Sequence, residues 1–438
     1  MSASRSALAD RLGARLGGGF WALLSASFLA NLSDGIFLIA LPLLAVGLTD
    51  QPALVAGVAV ASRLPWLVFA LIAGALADRF DRRRTMVFVD GARAVLLAGL
   101  TLAVATGTAS IWLLYLVAFV LGCLETMFDT AASSILPNIV GRERVVAANS
   151  RLHAVELTMN QFVGPPIGGF LAAIALAAAF GTAAAGYLGA LLLLLTLRGS
   201  FRAERAAPPG SMLTEIREGV SYLAHHRLLR TMAFVVGPMN LAAMAILGIV
   251  VLYAVAPGPL GLDAVGFGLL TTAGGVGWIL GTLLASRLER WLGRANLFVA
   301  CIAGLLAQDL VYVVVPQAVV IGAVLILTGI FGGAFNVVFG SIRQRIVPNH
   351  LLGRVMASFR VISWGSLPLG AFIGGIVGQT FGLTAVFVGA ALIHLALLPS
   401  RLILTDEFMA RAEAEAAAAD AVGPMTAPSP ATPAEPAA

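Results

Sequence analysis

Long apolar runs alternate with short polar intervals along almost the whole chain. A helix needs about 20 apolar residues to cross the hydrocarbon core of a bilayer, and twelve stretches reach or approach that length. Their limits lie near 20–48, 53–77, 85–105, 111–131, 152–178, 182–197, 231–256, 266–285, 295–315, 318–341, 356–378 and 381–399. The fifth and sixth nearly merge, and the break between them is expected close to Gly181. The runs are continuous, whereas the strands of a membrane barrel alternate and are short. The expected class is an all-α integral membrane protein with twelve transmembrane helices.

The polar intervals orient these helices. Every basic residue is an arginine, 27 in all. One set of intervals carries Arg79, Arg82, Arg83 and Arg84; Arg142, Arg144 and Arg151; several between Arg198 and Arg230; Arg287, Arg290 and Arg294; and Arg343, Arg345 and Arg354. The alternate intervals, near 49–52, 106–110, 179–181, 257–265, 316–317 and 379–380, carry none. Arginine-rich loops stay on the cytoplasmic side, so both termini are expected there, in a cell membrane. An odd helix count would break the alternation.

Composition agrees. Charged residues make up 11% of the chain and hydrophobic ones 59%, against roughly a quarter charged in a soluble protein. The net charge of +5 then reflects topology and anionic headgroups, not nucleic acid. Arg5, Arg11 and Arg15 precede the first apolar run. That run exceeds the roughly 7–15 residues of a signal-peptide core, so a retained first helix is expected. Cys123 and Cys301 both fall in apolar stretches and read as packing residues. His225 and His226 have too few neighbouring ligands for a metal site. No cofactor is expected.

Five segments follow: an N-terminal stretch (1–19), a six-helix bundle (20–197), a linker (198–230), a second six-helix bundle (231–400) and a tail (401–438). In the linker Leu213, Ile216, Val220 and Leu223 recur at helical spacing, as in an amphipathic helix lying on the membrane face. The tail is rich in Ala, Pro and Glu and reads as disordered. The two bundles echo one another. ALADRFDRR (75–83) pairs with LLASRLERW (283–291), LPNIVGRERV (136–145) with VPNHLLGRV (347–355), and GPPIGG (164–169) with GAFIGG (370–375). Three echoes in the same order indicate a duplicated unit, a design in which two bundles rock about a central site.

These features resemble the major facilitator superfamily: twelve spans in two pseudo-symmetric halves, with GALADR (74–79) between the second and third. LSDGIFLIALPLL in the first span, DTAASSILP ending the fourth and REGVSYL before the seventh resemble the branch of enterobactin exporters and macrolide efflux proteins. The resemblance implies a charge network in which Gly74, Asp78, Arg79, Arg82 and Arg83 gate the cytoplasmic mouth. Asp78 would face the start of the eleventh helix near Arg354, and Asp129 would pair with Arg82 or Arg83. Asp81 stands where that motif usually has glycine. The alternative reading of the cluster is a purely topogenic one. Gly164, Pro165, Gly168 and Gly169 resemble the end of an antiporter motif whose earlier glycines are Glu156 and Asn160 here. Close helix packing alone also explains them.

Ionisable residues inside a membrane are expensive and mark function by default. Asp34 lies at the centre of the first span and Arg63 near the centre of the second. Either they form a permanent ion pair, or Asp34 faces the cavity as a proton-coupling or cation-binding group. Glu125 and Asp129 share a face of the fourth span, and Glu156 lies at a similar level on the fifth. Asp90 and Arg93, at i and i+3, are expected to pair along the third span. Asp309 and His394 are open between substrate contact and buried structural pair. By resemblance the first, seventh and tenth spans line the cavity, which makes Asn31, Asn240 and Asn336 hydrogen-bonding candidates. Phe28, Phe37, Trp66, Phe128 and Trp364 suit an amphiphilic organic ligand.

The chain has no phosphate-binding GxxxxGK[ST] loop and no motif of enzyme chemistry. The expected function is secondary active transport: proton-coupled efflux of an amphiphilic small molecule of drug, macrolide or siderophore type by a monomer. The alternatives are proton-coupled uptake and a non-transporting membrane sensor or scaffold.

Overall fold

A computed structural model describes residues 16–68, 81–197, 212–348 and 351–422. Helices run from Gly17–Leu48 (α1), Pro52–Val68 (α2), Arg82–Ala105 (α3) and Ile111–Val140 (α4). The next crossing is composite: Val145–Leu157 (α5), a π-helical turn Thr158–Val163, then Gly164–Ile174 (α6). Leu176–Thr196 (α7), Met212–His225 (α8), Arg227–Ala254 (α9), Ala264–Leu292 (α10), Arg294–Val314 (α11), Ala318–Ile346 (α12), Leu352–Phe381 (α13), Leu383–Leu397 (α14) and Asp406–Val422 (α15) complete the α-helices among the described residues. Ten of these are long and apolar enough to cross a membrane, α14 together with the 3-10 turn that continues it to Leu402. With the composite α5–α6 crossing and α2, which reaches the edge of the described residues, twelve crossings are accounted for among those residues.

Pro165 and Pro166 explain the π turn. Both lack an amide N–H, and in a regular α-helix their rings would collide with the carbonyls four residues back, at Gln161 and Phe162. The turn before them widens, and Gly164 N–H reaches back five residues to the Met159 carbonyl. The break before α7 falls at the extended residue Ala175 (φ −166°), not near Gly181. Gly181 lies within α7, where alanine-rich sequence carries the helix past it.

Small residues set the helix spacing. A methyl group on Gly277 or Gly281 of α10 would collide with the Ile326 or Ile330 carbonyl of α12. Between lipid-soluble helices, such close backbone approach supplies the packing energy. In the first half, Gly35 of α1 abuts Gly164 of α6, where an added methyl would lie 2.8 Å from the Gly164 Cα.

The halves meet mainly towards one face. Gly375 of α13 packs on Ala53 and Ala56 of α2, and Gly169 of α6 packs on Ala264 and Gly268 of α10. These contacts gather at the ends whose loops lack arginine. Deeper contacts reach the middle of the helices, where Gly275 meets the Gln161 carbonyl and Trp66 meets Trp364 (ring centroids 5.0 Å apart).

The linker helix α8 does more than lie along a surface. Gly219 abuts the Arg354 backbone of α13, and Glu218 pairs with Arg354. The tail departs from expectation up to residue 422. Its α15 docks on the second half, with Met409 and Ala412, and Leu404 just before the helix, buried. Asp406 accepts hydrogen bonds from the Arg294 and Ala295 amides (2.8 and 3.1 Å), capping α11. Glu413 bridges Arg294 (2.7 Å) and Arg345 (3.5 Å). Composition suggested disorder, but periodic apolar contacts and paired charges order this segment.

Candidate functional site

Four helices of the first half converge on Asp34. The α1 helix carries it at mid-length, next to Gly35, whose missing side chain lets α6 press against α1. The α7 helix brings Tyr187, whose phenolic O–H donates to Asp34 Oδ1. The α3 helix brings Asp90 and Arg93, and α4 brings Glu125, Phe128 and Asp129.

Arg93 organises this group. It is almost fully buried, and its guanidinium carbon lies 5.2 Å from the ring centres of both Phe128 and Tyr187. Asp90 pairs with it at 3.8 Å within α3, as their spacing suggests. Arg93 also attracts Asp34, against repulsion from Glu125 and Glu156. Of the two readings left open for Asp34, a permanent pair with Arg63 is not seen among the described residues. Arg63, half-buried on α2, forms no ion pair among the described residues, whereas Tyr187 donates a hydrogen bond to Asp34 and Arg93 attracts it electrostatically. Tyr187 was not among the sequence candidates. It is one of only five tyrosines, set in a run of Ala and Leu, and that isolation was the available signal.

The remaining candidates scatter. Glu125 is half-buried and Asp129 exposed. Glu156 is also exposed and pairs with His153 at 3.1 Å. Arg83 binds the Leu194 and Leu195 carbonyls at the end of α7 (3.1 and 2.8 Å) rather than Asp129. Asp81 caps α3 by accepting from the Arg84 amide at 3.0 Å, which accounts for an acid where the resembled motif has glycine. Gly74, Asp78 and Arg79 lie outside the described residues, and Arg82 opens α3. Gly164, Pro165, Gly168 and Gly169 are buried where α6 meets α1 and α10. Asn31 turns back on its own helix, donating to the Ser27 carbonyl at 2.8 Å.

The second half contributes a cavity of about 690 Å³. Its wall includes Asn240, Trp278, Asn336, Arg343, Arg360 and Trp364. Asn240 donates to the Ser363 carbonyl at 2.8 Å, tying α9 to α13, while Asn336 is exposed. Asp309 and His394 lie away from that wall. They form a fully buried pair at 2.6 Å between α11 and α14. Cys301 also lines the cavity, without a disulfide.

A family model described as transmembrane secretion effector matches residues 17–432. Among curated proteins, the multidrug efflux pump Tap of Mycobacterium tuberculosis is 28% identical over 385 residues, covering 84% of this chain and 89% of Tap. An uncharacterised major facilitator transporter of Bacillus subtilis, YfiS, is 29% identical over 218 residues, about half of each chain. Among solved structures, the nucleoside transporter NupG superimposes with a TM-score of 0.67 at 15% identity, covering 88% of this chain and 99% of NupG. A bacterial homologue of the iron transporter ferroportin, in an inward-facing state, gives 0.67 at 14%, covering 90% and 98%. At such identities these two structures speak to the fold.

Proposed function

The chain belongs to the transmembrane secretion effector family of major facilitator transporters, and from that premise we propose that it exports an amphiphilic small molecule in exchange for protons. It does so by alternating access, with the arginine-bearing face and both termini in the cytoplasm of a bacterial cell. The observation that carries this reading is the cluster around Asp34. A carboxylate at mid-membrane, held by Tyr187 and sharing Arg93 with Asp90, couples its proton occupancy to whatever charge enters beside it. Neighbouring carboxylates at Glu125 and Asp129 reinforce that coupling, because like charges around one counter-ion oppose joint ionisation.

The distribution of contacts supports the mechanical part. The halves touch from the arginine-free face to mid-membrane, while Glu156 and Arg360 beyond that level are exposed. That distribution supports a cavity open to the cytoplasm. The efflux direction draws on Tap, a multidrug efflux pump, and on the GPPIGG segment of α6. Gly74, Asp78, Arg79, Arg82 and Arg83 then act as the latch of the cytoplasmic mouth, and the working unit is a monomer in the bilayer.

The test uses proteoliposomes bearing an imposed proton gradient and a panel of amphiphilic dyes. Wild type should accumulate at least one dye only when the gradient is present. Asp34→Asn should abolish gradient-driven accumulation while leaving dye binding intact. Wild-type rates in Asp34→Asn would overturn the assignment.

A further inference from the structure

Three arginines at the arginine-bearing end of the second half have carboxylate partners. Arg294 holds Glu289 and Glu413, Arg345 holds Glu413, and Arg354 holds Glu218. Two others do not. Among the described residues neither Arg343 nor Arg360 pairs with a carboxylate, and both line the 690 Å³ cavity. Each instead lies on an aromatic ring. The Arg343 guanidinium carbon sits 4.2 Å from the Phe359 ring centre, and that of Arg360 sits 5.1 Å from Trp364.

This geometry leaves a specific capacity unused. A guanidinium on a ring face is held by cation–π attraction, while its in-plane N–H donors stay available for a planar anion. Arg343 Nε is buried and has no hydrogen-bond partner. Arg343 lies in the last turn of α12, where the helix dipole alone favours a cation. Arg360 has no such reason: it lies in the third turn of α13, counted from its N-terminus, where the dipole gives a cation nothing. Both rings, Phe359 and Trp364, belong to α13, and both arginines line the same cavity. The rest of the wall is mostly apolar and aromatic, with Trp278 and Trp364, and Asn240, Gln308, Thr328 and Asn336 add uncharged polar groups.

We propose that Arg343 and Arg360 form a subsite for an anionic group, such as a carboxylate, carried by the exported amphiphile. Its apolar body lies along the aromatic wall. The inference rests on the export reading for its cargo, but not for its chemistry.

The experiment uses the full chain in phosphatidylcholine nanodiscs and two probes of one shape, 7-diethylaminocoumarin-3-carboxylate and the matching carboxamide. Fluorescence anisotropy should show tighter binding of the carboxylate. Arg343→Gln with Arg360→Gln should weaken carboxylate binding about tenfold to a hundredfold, the range for a lost charge-assisted hydrogen bond. Carboxamide binding should stay unchanged, which also shows that the variant is folded. Equal loss for both probes, or no change for either, overturns the subsite. The anion could also come from a lipid headgroup. If phosphatidylglycerol in the discs displaces the carboxylate from wild type but not from the variant, the subsite belongs to lipid and the proposal falls. Discrimination between the probes in a protein that moves no dye would defeat the export reading and leave the anion subsite standing.

Discussion

Arg93→Met is the most informative perturbation of the buried charge cluster. In the folded protein Arg93 and Asp90 are both almost fully buried and 3.8 Å apart, and neither Asp90 carboxylate oxygen has a hydrogen-bond partner. Arg93 is thus the principal counter-charge for Asp90. Removing one partner of a buried pair strands the other, at roughly 3–5 kcal/mol. Loss of the contacts with Phe128 and Tyr187 adds about 0.5–2 kcal/mol for each ring. Arg93→Met should therefore lower the thermal unfolding midpoint, followed by tryptophan fluorescence in detergent, more than Asp90→Leu does. Combining the two should recover much of the loss, because no stranded carboxylate remains on α3 and Asp34 keeps its bond from Tyr187. A double variant no more stable than Arg93→Met alone would refute the reasoning.

Met409→Ala in α15 should destabilise the second half by roughly 2–5 kcal/mol, as for other buried large-to-small changes. Protease sensitivity of residues 406–422 would report it, and unchanged digestion would mean that α15 is not docked. A pH test comes from His226, whose imidazole caps α9 by accepting from the Leu229 amide at 3.4 Å. Burial lowers its pKa from the ordinary 6.5, so the unfolded chain binds this proton at higher pH than the folded one. The stabilisation is complete above about 6.5 and declines as pH falls from there towards the folded value. Replacing His226 with Asn keeps a cap of about 1 kcal/mol and should flatten that decline in the unfolding midpoint.

The fold was readable because lipid imposes one pattern. Continuous apolar runs and one-sided arginines are demanded by the bilayer itself, and they survive without any knowledge of packing. Details set by backbone geometry were less visible. The break at Ala175 has no glycine or proline to mark it, and the π turn follows from Pro165 and Pro166 only once the helix continues on both sides. The α15 helix was hidden by composition: its alanines and glutamates look like a solvated tail until Asp406 and Glu413 find Arg294. The site was partly legible. Depth in the membrane singled out Asp34, but sequence adjacency suggested Arg63 as its partner, whereas the bundle brings α3 and α7 to α1. Arg93 and Tyr187 are distant in sequence and meet Asp34 only through that packing. Arg343 read as one more topological charge, and Arg360 was not singled out at all, because neither the cavity nor the aromatic rings under them can be seen in one dimension.

The central claim is that the two faces open in opposition. Double electron–electron resonance tests it directly in a chain with Cys123 and Cys301 replaced by serine. Spin labels would be placed either at positions 51 and 380 on the arginine-free face or at 144 and 290 on the other. The resting protein should give a short 51–380 distance and a long 144–290 distance. A transported dye or acidification should populate a second state in which the first lengthens as the second shortens. Distances that stay fixed under every condition, or that lengthen together, would contradict the account.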